Sequence, residues 1–187
     1  ASTTGLLDAR TGEWDVSLAE RLGIPAALLP PLIDAGSSVG SLSPDVALTV
    51  GRALEVVAVG SHDTASAIVA IPNTGRDFAY VSCGTWGLVG LELDAPILSD
   101  DARRANFTNE GGVDGRTRFL HNVMGLWLLS ESLRHWEPAA TDAQRSSLLG
   151  ELLAEAAKVS SDVPIFDVND PAFLPSGDIP ERFRSRY

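Results

Sequence analysis

Hydrophobic positions in this chain come in short runs broken by glycine, proline or polar clusters, so the predicted elements are short and numerous. The first is a helix from Ser17 to Leu22, stopped by Gly23-Ile24-Pro25. A short apolar helix from Ala26 to Ile33 follows, interrupted by Pro30-Pro31. Ala35-Gly36-Ser37-Ser38-Val39-Gly40 predicts a loop. The run from Leu54 to Gly60 is too short for an isolated helix and rich in valine, which predicts a parallel strand covered on both faces. Gly60 lets the backbone turn sharply, and Asp63 to Ile71 predicts a helix of small residues capped at its start by Ser61 or Asp63. Pro72-Asn73-Thr74-Gly75 is the strongest turn signal between two hydrophobic segments, and it sets the expected domain boundary between residues 1–74 and 75–187.

Beyond that boundary, Asp77 to Leu91 predicts two strands that meet at Ser82-Cys83-Gly84-Thr85, the pattern of a β-hairpin. Gly111-Gly112 predicts a turn, Thr117 to Leu120 a short strand, and Met124 to Trp136 a helix. A last helix, Thr141 to Lys158, sets Leu148, Leu149, Leu152, Leu153 and Ala156 at helical spacing, a stripe expected to face a core. No repeat and no low-complexity tract interrupts this mixed α/β pattern.

Two segments bring reactive groups to strand ends. Ligands of open α/β sheets bind at the carboxyl ends of strands, which singles out Gly60-Ser61-His62-Asp63-Thr64. An aspartate at a helix start is also a common cap, so on these residues alone a cap and a reactive carboxylate fit equally well. In the turn Ser82-Cys83-Gly84-Thr85, backbone N–H groups and a hydroxyl suit phosphate oxygens, although a tight turn without a ligand is the commoner use of such residues. Together they suit phosphoryl transfer to an alcohol: the carboxylate accepts the hydroxyl proton and the turn holds nucleotide phosphates. The remaining candidates have plain structural readings. Asn109-Glu110-Gly111-Gly112 fits a turn, Trp127 and Trp136 fit packing, Arg103-Arg104 fits a solvated pair, and His121 beside Asn122 can face either way. A hydrolase built on Cys83 needs a histidine within reach, and Ser61-His62-Asp63 is no triad, because sequence neighbours point in different directions.

Four ordered motifs, Gly60–Ala65, Ser82–Gly90, Asn106–Asp114 and Arg118–Leu129, together resemble the FGGY carbohydrate kinases. Thr3–Asp8, Thr11–Trp14 and Asp170–Pro175 are similar to family segments on either side, so the resemblance covers essentially the whole chain. It implies a ribonuclease-H-like, actin-type ATPase fold, here the end of one domain and the start of a second. The implied reaction is ATP-dependent phosphorylation of a ketose sugar, with ATP and Mg²⁺ as cofactors. By the same resemblance Asp63 is the base that takes the sugar hydroxyl's proton, His62 and Thr64 line the ketose site, and Asn122 binds the sugar. Gly84 and Thr85 match the phosphate-contacting turn of the ATP site. The family commonly has a nucleotide-touching glutamine eight residues after the asparagine. This chain has Ser130 there, a shorter hydroxyl suited to acting through water.

Charge and length then narrow the partners. With 25 acidic residues against 14 basic ones, the net charge of −11 disfavours nucleic acid and anionic membranes, which need a basic footprint. No apolar run approaches the ~20 residues that span a bilayer. One cysteine, Cys83, allows no disulfide within the chain and fits a reducing, cytoplasmic setting. Three histidines without ligand spacing predict no protein metal site, so Mg²⁺ is expected to arrive with the nucleotide. At 187 residues the chain is long enough for one domain with a core but is a fraction of a two-domain sugar kinase. It opens at Ala1-Ser2-Thr3-Thr4, with no Asp-x-Gly phosphate hairpin before the first strand and no Gly-Gly-Gly adenine loop after Asp170. The expectation is a middle fragment that is inactive alone, either an excised piece of the enzyme or a non-catalytic sugar-binding or structural fragment. Self-association through the surface left by missing segments is expected of it.

Overall fold

The computed structural model describes residues 1–72, 75, 78–160, 162–163 and 165–187. Asn73 and Thr74 of the expected boundary turn, and Asp77 at the expected start of the hairpin, lie outside the described residues. The helices are α1 (Val16–Arg21), α2 (Pro44–Val50), α3 (Asp63–Val69), α4 (Asp100–Arg104), α5 (Trp127–Trp136), α6 (Asp142–Ala156) and α7 (Ile179–Arg186). The strands are β1 (Ser38–Ser41), β2 (Glu55–Val57), β3 (Ala79–Cys83), β4 (Trp86–Leu93), β5 (Thr108–Gly111) and β6 (Thr117–Met124). β1 and β2 make a two-stranded sheet, and the other four make a second sheet in the order β3-β4-β6-β5. The chain divides into two compact units, Ala1–Val81 with Val89–His121, and Ser82–Leu88 with Asn122–Tyr187.

Local chemistry explains most element ends in the first unit. The Asp15 side chain accepts the Leu18 N–H at 2.8 Å and starts α1, and Gly23, at φ 75°, lets the chain leave it. α3 buries Thr64, Ala65 and Ile68, the i, i+1, i+4 stripe of a helix lying on a core. Thr117 to Leu120 are buried without alternation, so this part of β6 is covered on both faces. Gly90 is glycine because Tyr80 crosses it: a Cβ there would lie 2.7 Å from the tyrosine Oη and 2.9 Å from Leu120 Cβ.

In the second unit Met124, Leu128, Phe173 and Ile179 form a core against which Trp127, Phe166 and Val168 pack. Phe166 meets Phe173 and Phe183 edge to face, with centroids 5.8 and 4.7 Å away. Asp170 ties this core to α7. Its Oδ1 accepts the Ala172 N–H at 2.9 Å, and its Oδ2 takes a hydrogen bond from Arg186. The Ala172 amide, with the Arg186 guanidinium in support, holds the Asp170 carboxyl below its ordinary value.

Several elements depart from the sequence reading. The valine-rich strand is not parallel and doubly covered. β2 pairs antiparallel with β1, and all of Glu55–Val57 is exposed, since valine content marks a strand without saying what covers it. Part of the expected loop before it, Ser38–Gly40, belongs to β1. The helix expected at Ala26–Ile33 is a single 3₁₀ turn, Ala26–Leu28, because Pro30-Pro31 lies too close to allow a second turn. Asn109–Gly111 is strand rather than turn, paired along β6. The helix expected from Met124 starts at Trp127, and Met124 ends β6. α6 opens with a Thr141–Gln144 capping box, yet no residue in it is buried, so its leucine stripe faces no core among the described residues.

Candidate functional site

Gly60 brings the chain from the β1–β2 sheet into α3 through a tight passage. A Cβ on it would stand 3.1 Å from Val113 Cγ2 and 3.3 Å from Ser66 Oγ, and that serine hydroxyl donates to the Gly60 carbonyl at 2.8 Å. The helix start that follows is capped by His62 and Asp63, not by Ser61. The Thr64 N–H is shared between Asp63 Oδ1 at 2.7 Å and His62 Nδ1 at 3.3 Å. The Thr64 hydroxyl also donates to Asp63 Oδ1, at 3.3 Å. Thr64 is buried, so both of its donors hold the aspartate from the protein side. The Asp63 side chain is nevertheless 96% exposed, with its carboxylate presented to solvent.

His62 stands beside this carboxylate. Its Nδ1 lies 3.2 Å from Asp63 Oδ1. While Nδ1 accepts the Thr64 amide, the neutral ring carries its proton on Nε2. Asp63 can therefore act as a fixed, accessible proton acceptor, with Thr64 orienting it and His62 beside it.

The other expected site residues belong to the second unit. Gly84 and Thr85 form the exposed two-residue turn between β3 and β4. Both turn carbonyls accept amides from the start of α5: Leu126 N–H bonds to Gly84 O at 2.9 Å and Trp127 N–H to Thr85 O at 3.0 Å. The Gly84 N–H donates to Trp86 O at 3.0 Å, so this amide is committed inside the turn and is not offered to a phosphate. Thr85 itself is exposed in this turn. Gly125 allows this close approach, because a Cβ there would lie 2.6 Å from Gly84 O and 2.6 Å from Gly87 N. Asn122 is exposed on β6, and Ser130 is half-buried on α5.

The residue beside Asn122 has a partner of its own. His121 Nδ1 meets Asn106 O at 2.8 Å, and its ring lies 5.4 Å from that of Phe107. Cys83 is exposed. Arg103 and Arg104 form the expected solvated pair, bonded to Asp100 and Asp101.

Sequence reasoning missed a charged cluster inside the first unit. Arg118 is 0% exposed and pairs with Glu110, directly opposite it on β5, while Arg116 bridges to Glu92 and Asp94. The signal for it is the 110–118 register, which neither segment carries alone. A polar cavity of about 650 Å³ in this unit is lined by Arg10, Asp34, Asn109, Glu110 and Arg116 among others. An apolar cavity of about 440 Å³ in the second unit lies between Leu129, Trp136, Phe166 and Phe183. Neither is lined by Asp63, Thr85 or Asn122. Among the described residues no three His, Cys, Asp or Glu side chains converge to hold a metal ion.

Comparison with known proteins places these features in a family. The N-terminal domain of the FGGY family of carbohydrate kinases matches residues 1–70, and the C-terminal domain matches residues 79–184. A rhamnulokinase of Enterococcus faecalis is 40% identical over 183 residues, which is 96% of this chain and 35% of that protein. One from Pectobacterium carotovorum subsp. carotovorum is 42% identical over 174 residues, or 93% of this chain and 33% of that protein. The chain thus spans about a third of the length of the curated relatives it matches. Among solved structures, xylulose kinase from Rhodospirillum rubrum superposes with a TM-score of 0.60 at 19% identity, covering 84% of this chain and 31% of that one. That likeness shows the fold, the ribonuclease-H-like, actin-type architecture of sugar kinases. The chain belongs to the FGGY family of carbohydrate kinases.

Proposed function

We propose that the full-length protein transfers the γ-phosphoryl group of ATP to L-rhamnulose, giving L-rhamnulose 1-phosphate and ADP. The observation that carries this reading is Asp63, a carboxylate held from below by both donors of Thr64 and open to solvent above. The rhamnulokinases at about 40% identity support the choice of sugar. In the proposed step Asp63 takes the proton of the C1 hydroxyl as its oxygen attacks the γ-phosphorus, and the bond from that phosphorus to the bridging oxygen breaks to release ADP. His62 and Asn122 hydrogen-bond the sugar, with Thr64 fixing the base. The Thr85 hydroxyl fits one nucleotide phosphate oxygen, with Gly84 leaving room for it and Ser130 acting through a water. Mg²⁺ would arrive with the nucleotide and would supply charge neutralisation at its phosphates. This reading assigns residues 1–74 and 75–187 to the two FGGY domains and the protein to the cytoplasm, where ATP is supplied. Among the described residues no helix is long and apolar enough to cross a membrane. Exposed Leu48, Val59 and Ile165 support self-association of the 187-residue piece.

The test is Asp63→Asn in the full-length protein. Turnover is expected to fall by roughly 10²- to 10⁴-fold, with sugar affinity kept within a few-fold. Turnover surviving within about tenfold removes Asp63 from the role of base.

A further inference from the structure

The charged cluster of the first unit leaves hydrogen-bonding capacity unused where it is most costly. Arg118 is fully buried, and its Nη2 donates to Glu110, but its Nε and Nη1 have no partner. The hydroxyl of Tyr80 is also buried and has none. Unpaired groups of this kind are rare in folded proteins and call for a ligand, most often water.

Strand order sets the three groups in one sheet, with β4 between Tyr80 on β3 and Arg118 on β6. Tyr80 reaches across Gly90 so that its hydroxyl lies on the side of Leu120, two residues along β6 from Arg118. The Arg118 charge acts on the Tyr80 phenol, as do the charges of Glu110 and Glu92. Burial outweighs the arginine and raises the phenol above its ordinary value, so the hydroxyl keeps its proton at neutral pH. Glu110, the partner of Arg118, is also part of the wall of the polar cavity.

We infer that Arg118 and Tyr80 hold a fixed internal water, which accepts from the guanidinium and bonds the tyrosine hydroxyl beneath β4. Water fits better than an anion. Glu110 and Glu92 stand in the same cluster and would repel a further negative charge, whereas water both donates and accepts.

A crystal structure of the full chain at a resolution that shows solvent tests this directly. An ordered water within hydrogen-bond distance of Tyr80 Oη and of Arg118 Nε or Nη1 is expected. A dry site, a bound chloride, or protein carbonyls taking those donors would overturn it. Tyr80→Phe gives an independent reading. Losing a satisfied hydroxyl should shift the unfolding equilibrium toward the unfolded state by roughly fivefold. If the hydroxyl is dry and unpaired, its removal leaves stability unchanged or raises it, which defeats the inference.

Discussion

Gly125 and Gly150 make opposite demands on a methyl group. At Gly125 a Cβ would meet only backbone, with Gly84 O, Gly87 N and Trp86 C all 2.6 Å away, whereas at Gly150 nothing lies within 4 Å. Gly125→Ala is expected to cost about 1–3 kcal/mol in denaturant unfolding, because the hairpin must retreat. Gly150→Ala, within the exposed helix α6, should instead stabilise by about 0.5–1 kcal/mol. Equal effects would mean that the turn is not seated as described. At this scale the sequence was most informative where one residue did two jobs in plain view. Asp63 fitted a helix cap and a reactive carboxylate equally well, and the structure shows that these are compatible. One oxygen accepts the Thr64 amide while the side chain stays open to solvent. Tyr80, Glu110 and Arg118 were illegible for the opposite reason. Each looks ordinary in its own segment; register sets Glu110 opposite Arg118, and strand order puts Tyr80 in the same sheet.

Among elements, α7 offers the clearest pH response. The Asp170 carboxyl is held below its ordinary value of 3.8, first by the Ala172 amide and then by Arg186. Its stabilisation is therefore complete above that ordinary value and is lost as pH falls through the lowered one. Protection factors for hydrogen exchange at Ala172 and along α7, taken against the intrinsic rate at each pH, should fall below about pH 4. In Asp170→Asn the same amides should be less protected at neutral pH and should depend less on acid. An unchanged acid profile in that variant would remove Asp170 as the group responsible. Helices were legible where their ends carry side-chain or glycine signals, as in α1 between Asp15 and Gly23. The signals Ser43-Pro44 and Gly51 also bracket α2, which hydrophobic period alone passes over because the helix has no buried face. Periodicity found β2 and α6 as elements but not what covers them. It reports which residues share a face, and what covers that face depends on residues distant in sequence.

For the whole molecule, the chain's share of its relatives sets the functional expectation. It spans about a third of their length and carries the proposed base and the threonine proposed to meet a phosphate. The isolated 187-residue chain is expected to show no ATP-dependent phosphorylation of L-rhamnulose. Measurable turnover by the purified chain would overturn this. Calorimetry with the sugar and with ATP separately then distinguishes a piece that keeps its sugar pocket from a purely structural fragment. Family and fold were legible because four motifs recur in order, whereas the proposed sugar rests on whole-chain similarity to proteins that carry more residues than these. The hairpin turn, finally, has a mechanical consequence. With the carbonyls of Gly84 and Thr85 both bonded to the first amides of α5, turn and helix form one lever. The turn is thereby seated on the helix whose Trp127 packs against the core of the second unit, so a substitution that displaces Gly84 or Thr85 is expected to disturb the start of α5 as well.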